Sequence, residues 1–259
     1  MLKLGRLDDN IRFRFAVSLL ATLFRGFFTL TADFLFARFL GANSFGDYAF
    51  LVSTFLAVSI LLDCGSSSAF YTFLSGRKQN ELSIKRYFGW MAFQFALVAF
   101  FLLALMPTSL LDLIWARQGR INIFLAFSAI FLQKQLIPSL LAIGEACRRT
   151  TLVQGISVML AGSSCVAAFG VFYLSSTSVT TALALLNVSY VVILVYAFVQ
   201  VKGIIRSEAT EEGIAPLEWR AEWRGYLIFC APLFISSLIT FAGGFYSRWV
   251  LQTFGGSSQ

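Results

Sequence analysis

SLLATLFRGFFTLTADFLFARFLGANSFGDYAFLVSTFLAVSILLD, residues 18–63, holds two long hydrophobic spans joined by Leu40-Gly41-Ala42-Asn43-Ser44-Phe45-Gly46-Asp47. Arg25 and Asp33 lie inside the first span, and Asp63 falls near the middle of the second. On insertion scales, one charged side chain at the centre of a bilayer helix costs about 2.5–3.5 kcal/mol. Three such charges in two helices call for a physical role.

The composition around this stretch agrees with a membrane setting. The chain has 259 residues, of which 58% are hydrophobic and 13% charged. Its mean hydropathy is +0.78. A soluble domain carries about 25% charged residues. A spanning helix needs about 20 mostly apolar residues, and such windows recur at about 15–38, 47–75, 86–106, 121–143, 151–174, 178–202 and 226–251. The runs are continuous, without the alternation a transmembrane barrel requires. The expected fold class is an all-α polytopic membrane protein: one six-helix lobe plus the first helix of a second.

The net charge of +7 resembles a nucleic-acid or anionic-surface signal, but its placement points to topology. Fourteen of the twenty Lys and Arg residues fall on one set of span ends: Lys3, Arg6, Arg12, Arg14, Arg77, Lys78, Lys85, Arg86, Arg148, Arg149, Lys202, Arg206, Arg220 and Arg224. The opposite loops hold Arg117 and Arg120, while Arg25, Arg38, Lys134 and Arg248 lie within or at the edges of spans. This positive-inside asymmetry puts the N-terminus in the cytoplasm. No nucleic-acid partner is expected. The absence of histidine removes the commonest metal ligand and acid–base group. Cys64, Cys147, Cys165 and Cys230 are far apart and read as packing residues. No cofactor, metal or cleavable signal is expected, the first apolar span being too long for a signal and lacking a small-residue cleavage site.

Ser18, Thr22, Arg25, Thr29 and Asp33 are spaced 4, 3, 4 and 4, which keeps them within about 80° on a helix. Such a stripe either lines a wet cavity or forms an Arg–Asp staple between helices. Ser59, Asp63 and Ser66 repeat the pattern. Asp63 is a candidate partner for Arg25, or a carboxylate that protonates during a cycle. In the fourth span Gln133-Lys134-Gln135 precedes Pro138, where proline predicts a kink. Three consecutive polar residues cover too wide an arc to give Lys134 a face. Gly155, Gly162 and Gly170 suggest close helix approach in spans five and six.

Residues 203–225 turn polar and read as a cytoplasmic linker, with Trp219 and Trp223 on a helix lying at the membrane surface. The expected organisation is a six-helix lobe over 1–202, this linker, and the opening helix of a further lobe over 226–259. The seventh span echoes the first through Ser237, Thr240, Gly244 and Arg248. Phe254-Gly255-Gly256-Ser257-Ser258 aligns with Leu40-Gly41-Ala42-Asn43-Ser44, so the chain reads as an incomplete two-lobe protein.

Ala37-Arg38-Phe39-Leu40-Gly41, Phe45-Gly46-Asp47-Tyr48 and Leu61-Leu62-Asp63-Cys64-Gly65 resemble the opening hairpin of the Wzx-type oligosaccharide flippases. These belong to the multidrug/oligosaccharidyl-lipid/polysaccharide exporter superfamily. Ala231-Pro232-Leu233-Phe234-Ile235-Ser236-Ser237 followed by Arg248 resembles that family's seventh helix. Ser247 departs from the acidic residue common there, and Cys64 from an aliphatic one. The resemblance implies a non-enzymatic, multi-pass protein of the bacterial inner membrane. It would flip a polyprenyl-diphosphate-linked oligosaccharide for O-antigen or other surface polysaccharide by alternating access. Membrane lipids and other polysaccharide-assembly membrane proteins are its implied partners. On this reading Arg25, Lys134 and Arg248 supply a positive cavity, and Asp33 and Asp63 balance charge or couple ions. A drug or small-cation exporter of the same superfamily, or an inactive fragment, is the alternative.

Overall fold

The computed structural model describes residues 11–75, 81–115, 118–175, 177–208 and 219–255. Every element among them is helical. In order these are α1 (Ile11–Leu40), α2 (Ala42–Asp63), α3 (Ser66–Ser75), α4 (Glu81–Phe100), α5 (Thr108–Ile114), α6 (Arg120–Phe131), α7 (Ile137–Ala146), α8 (Thr150–Tyr173), α9 (Val179–Glu208) and α10 (Trp219–Val250). Short π-helical turns follow α4 at Phe101–Leu105, join α6 to α7 at Leu132–Leu136, and follow α10 at Leu251–Gly255. Seven helical stretches are long and apolar enough to cross a membrane. The protein is an all-α, multi-pass membrane-embedded chain.

The exterior is apolar, with Phe24, Phe27, Phe93, Val166, Val192 and Ile239 among its exposed large side chains. Hydrocarbon solvates such a surface, so burying apolar area does little to hold the helices together. Packing and interhelical hydrogen bonds do that work in a bilayer. α1 lies along α8, α8 along α9, and α9 against α6 and α7. Small residues permit this: Ala21 and Ala32 of α1, and Ala167 and Ala168 of α8, are buried. Cys165 also donates its thiol to the Phe28 carbonyl at 3.1 Å.

Three polar contacts tie α9 to α6. Ser128 Oγ donates to Asn187 Oδ1 at 2.6 Å, Asn187 Nδ2 donates to the Leu125 carbonyl at 2.9 Å, and Thr180 Oγ1 donates to Asn122 Oδ1 at 2.7 Å.

Three expectations change. The stretch 47–75 is not one span, because helix stops at Asp63 and restarts at Ser66. Close approach occurs at Gly170, where an added Cβ would stand 3.0 Å from Leu185 Cδ1; beside Gly155 and Gly162 there is open space. Side-chain crowding, which small-residue spacing does not report, decides where backbones meet. Trp219 does not start a separate surface helix; its backbone runs unbroken into the seventh span. Arg120, an exception to the charge asymmetry, donates to the Leu103 carbonyl and, at 2.9 Å, to that of Met106, closing the end of α4. Cations at helix C-termini also complement the macrodipole. Residues 209–218 of the expected linker lie outside the described residues.

Replacing Asn187 by Ala removes bonds to Leu125 and Ser128. We expect a loss of about 1 kcal/mol, within the range for interhelical hydrogen bonds in bilayers, read as lowered thermal stability in detergent at unchanged helicity.

Candidate functional site

The polar stripe of α1 lies on the same face as Phe36 and Leu40. Near the turn that face is covered: Phe36 and Leu40 are buried, and Phe36 packs on Tyr48 with ring centroids 4.9 Å apart. Further from the turn the face continues as Asp33, Thr29, Arg25, Thr22 and Ser18. There Asp33, Thr29 and Thr22 are exposed, and Arg25 and Ser18 half-buried. α2 therefore leaves the face it shares with α1 at the turn, and among the described residues the stripe is left partly open, with Thr22, Thr29 and Asp33 exposed.

Within the stripe, Thr22 Oγ1 donates to the Ser18 carbonyl at 2.8 Å and accepts from Arg25 Nη2 at 3.0 Å. Among the described residues Arg25 meets no carboxylate, so the Arg–Asp staple does not form. A guanidinium has five N–H donors, and this one spends a single donor on its own helix. Asp33 lies within electrostatic reach of Tyr48 on α2, Cys165 on α8 and Tyr190 on α9. Those three side chains come from three different neighbouring helices. The Tyr190 hydroxyl is buried and 3.0 Å from Ser164 Oγ.

Asp63 is placed elsewhere. It is the last residue of α2, and the chain turns through Cys64 (φ 46°) and Gly65 (φ 78°), both left-handed. For a non-glycine residue that conformation costs about 1–2 kcal/mol. The Asp63 carboxylate caps α3: Oδ1 accepts from the Ser67 amide at 3.0 Å and Ser66 Oγ at 3.3 Å, and Oδ2 accepts from Ser67 Oγ at 2.9 Å. Its partners are these serines and not Arg25.

Side chains from neighbouring spans take up carbonyls near the break. Gln94 Nε2 on α4 donates to the Leu62 carbonyl at 3.1 Å. Gln135 Nε2 donates to that of Ser59 at 3.2 Å. Tyr87, stacked on Phe70 at 4.0 Å, shares a hydrogen bond through its hydroxyl with buried Ser139 at 3.3 Å.

The π turn at Leu132–Leu136 settles the face of Lys134. Pro138 has no amide hydrogen and its ring crowds the carbonyl a turn earlier. The helix answers with a widened turn in which the Ile137 amide reaches back to the Leu132 carbonyl. Gln135 then points inward and is buried, whereas Lys134 is exposed. Among the described residues Lys134 has no polar partner.

Depth along the bundle separates the charges. With Phe36 beside Tyr48 and a rise of about 1.5 Å per residue, antiparallel α1 puts Arg25 level with Ser59. Gln135 bonds Ser59, so Lys134 shares that level. Asp33 sits about 12 Å nearer the α1–α2 turn than Arg25. Asp63 and Asp33 therefore belong to different sites. The backbone of Arg248 adjoins Trp249, whose Nε1 donates to the Leu113 carbonyl of α5 at 3.3 Å. This places it at the far end of α10 from Leu233, beside α5. Its side chain lies outside the described residues. Arg38 is exposed in the last turn of α1.

Sequence reasoning overlooked the partners of the break: Ser67, Tyr87, Ser139 and the separate roles of Gln94 and Gln135. The run Gly65-Ser66-Ser67-Ser68 after Asp63 carries the available signal, a left-handed stop followed by hydroxyls suited to a new helix start. No family model, curated protein or solved structure matches the chain.

Two substitutions separate a structural carboxylate from a cation that meets no carboxylate among the described residues. Asp63→Ala removes the cap of α3 and should lower stability by about 1–2 kcal/mol. Arg25→Ala removes only a bond within one helix and should change stability by less than about 0.5 kcal/mol. Unfolding in detergent reads both, and a larger loss for Arg25→Ala would restore the staple.

Proposed function

We propose that the chain takes part in flipping a polyprenyl-diphosphate-linked oligosaccharide across the bacterial cytoplasmic membrane for surface polysaccharide assembly. The observation that carries this reading is the partly open polar stripe of α1, with the Arg25 guanidinium bonded, among the described residues, only to its own helix. A diphosphate entering a bilayer needs cationic donors that remain free. Arg engages phosphate bidentately, and Lys acts as a point charge. Lys134, at the same depth and without a polar partner among the described residues, supplies the second charge. Arg248 supplies a third farther along the path. Hydroxyls of Ser18, Thr22 and Thr29 suit sugar, while the exposed apolar exterior leaves the lipid tail in the bilayer. Asp33 limits the positive field.

The orientation belongs to the same proposal. Arg12, Arg14, Lys85, Arg86, Arg148, Arg149 and Lys202 sit at one end of the bundle, which the positive-inside rule assigns to the cytoplasm. A small-cation exporter suits this chain less, because its internal charges are three basic (Arg25, Lys134, Arg248) against two acidic (Asp33, Asp63).

Complementation of a strain defective in surface-glycan translocation tests the reading. Arg25→Ala and Lys134→Ala should each lower surface glycan by about tenfold or more at normal protein level. That corresponds to losing one charge-assisted contact of about 1.5–3 kcal/mol. Undiminished export in both variants would reject the assignment.

A further inference from the structure

We infer that Asp63-Cys64-Gly65 is a hinge between α2 and α3, and that the seventh-span helix α10 sets its angle through Leu233. The inference does not depend on the transport reading.

Only two residues, Cys64 and Gly65, separate the two helices, and both are left-handed. Large changes of direction in proteins are absorbed by a few such element-terminal positions. The groups beside them are held in a way that permits movement. Asp63 ends α2 but bonds forward to Ser66 and Ser67, so its carboxylate belongs to α3. The Leu62 and Ser59 carbonyls are taken by the flexible amides of Gln94 and Gln135. Those amides can follow a shift without breaking any helical hydrogen bond.

The clamp is steric. A Cβ at residue 65 would stand 2.5 Å from Leu233 Cδ1 and 2.7 Å from Leu233 Cβ. Leu233 fills the space that any side chain at position 65 would need. Glycine is therefore required twice, for its positive φ and for this approach. Cys230, one turn before Leu233, lies within electrostatic reach of Asp63 and Cys64, placing the same face of α10 over the break.

α10 is otherwise loosely held. No residue in its most apolar stretch is buried, and its described packing is chiefly against α2 and α3. A displacement of α10 along α2 withdraws Leu233 and releases the hinge. In this way a movement of the seventh span is converted into a reorientation of α3.

Pulsed electron–electron distances test this in the whole chain reconstituted in nanodiscs. Spin labels on clickable unnatural side chains at Asn43 and Thr72, both exposed, report the α2–α3 angle and leave the cysteines native. A second pair at Asn43 and Ile60 reports α2 alone. The parent should give one narrow Asn43–Thr72 distribution. Leu233→Ala should broaden it or add a second distance, and Gly65→Ala should move its maximum. The Asn43–Ile60 distance should stay constant throughout. Superimposable Asn43–Thr72 distributions for the parent and Leu233→Ala would overturn the hinge. A change that also appears in the Asn43–Ile60 pair would overturn it too, by tracing the effect to unfolding of α2. If Leu233→Ala is not monodisperse, Leu233→Val is read by the same criterion.

Discussion

A bilayer core offers no water to an unpaired carbonyl, so a helix that breaks there must find partners within the protein. The break after Asp63 is the point at which this chain meets that demand. Gln94 comes from the third span, Gln135 from the fourth, and the carboxylate of Asp63 turns to the serines that open α3. These bonds fix where α2, α4 and the α6–α7 helix stand relative to one another. Phe70, Tyr87 and Ser139 extend the same junction along α3. An unbroken helix would give the Leu62 carbonyl an amide of its own and leave Gln94 to compete for it.

The same economy explains why α1 stands apart. Its buried contacts are made mainly with α8, through small side chains and the Cys165 thiol. With α2 it shares the aromatic contact of Phe36 and Tyr48 near the turn. Farther from the turn the shared face opens, and Asp33, Thr29 and Thr22 are exposed. Arg25, Thr29 and Asp33 are left on an open face, where charge is tolerated only if water or a polar ligand can reach it. Scaffold and candidate binding surface thus follow from one division of partners.

Pro138 shows how local chemistry reaches a functional side chain. The missing amide hydrogen does not simply bend the fourth span. It widens the turn before it, and the altered register sends Gln135 inward and Lys134 outward. π turns of this kind often mark functional positions in helices. Here the turn uses one neighbour to support the backbone and leaves the next free.

Hydropathy and charge placement alone determined the all-helical class, the seven spans to within a few residues at most ends, and the position of Arg25, Asp33 and Lys134 within spans. Those properties depend on transfer free energy, which each side chain carries regardless of its neighbours. The tertiary structure decided the rest. Periodicity drew Ser59, Asp63 and Ser66 as one stripe, yet Asp63 caps a second helix, because a left-handed Cys64 depends on what surrounds it. The three glycines of the fifth span looked equivalent in sequence, and only Gly170 has a neighbour close enough to need its lack of a Cβ. Which of Gln133, Lys134 and Gln135 would face inward rested on a π turn that no 3.6-residue period anticipates. Pairing, depth and exposure are relations between helices, and they exist only once the helices have packed.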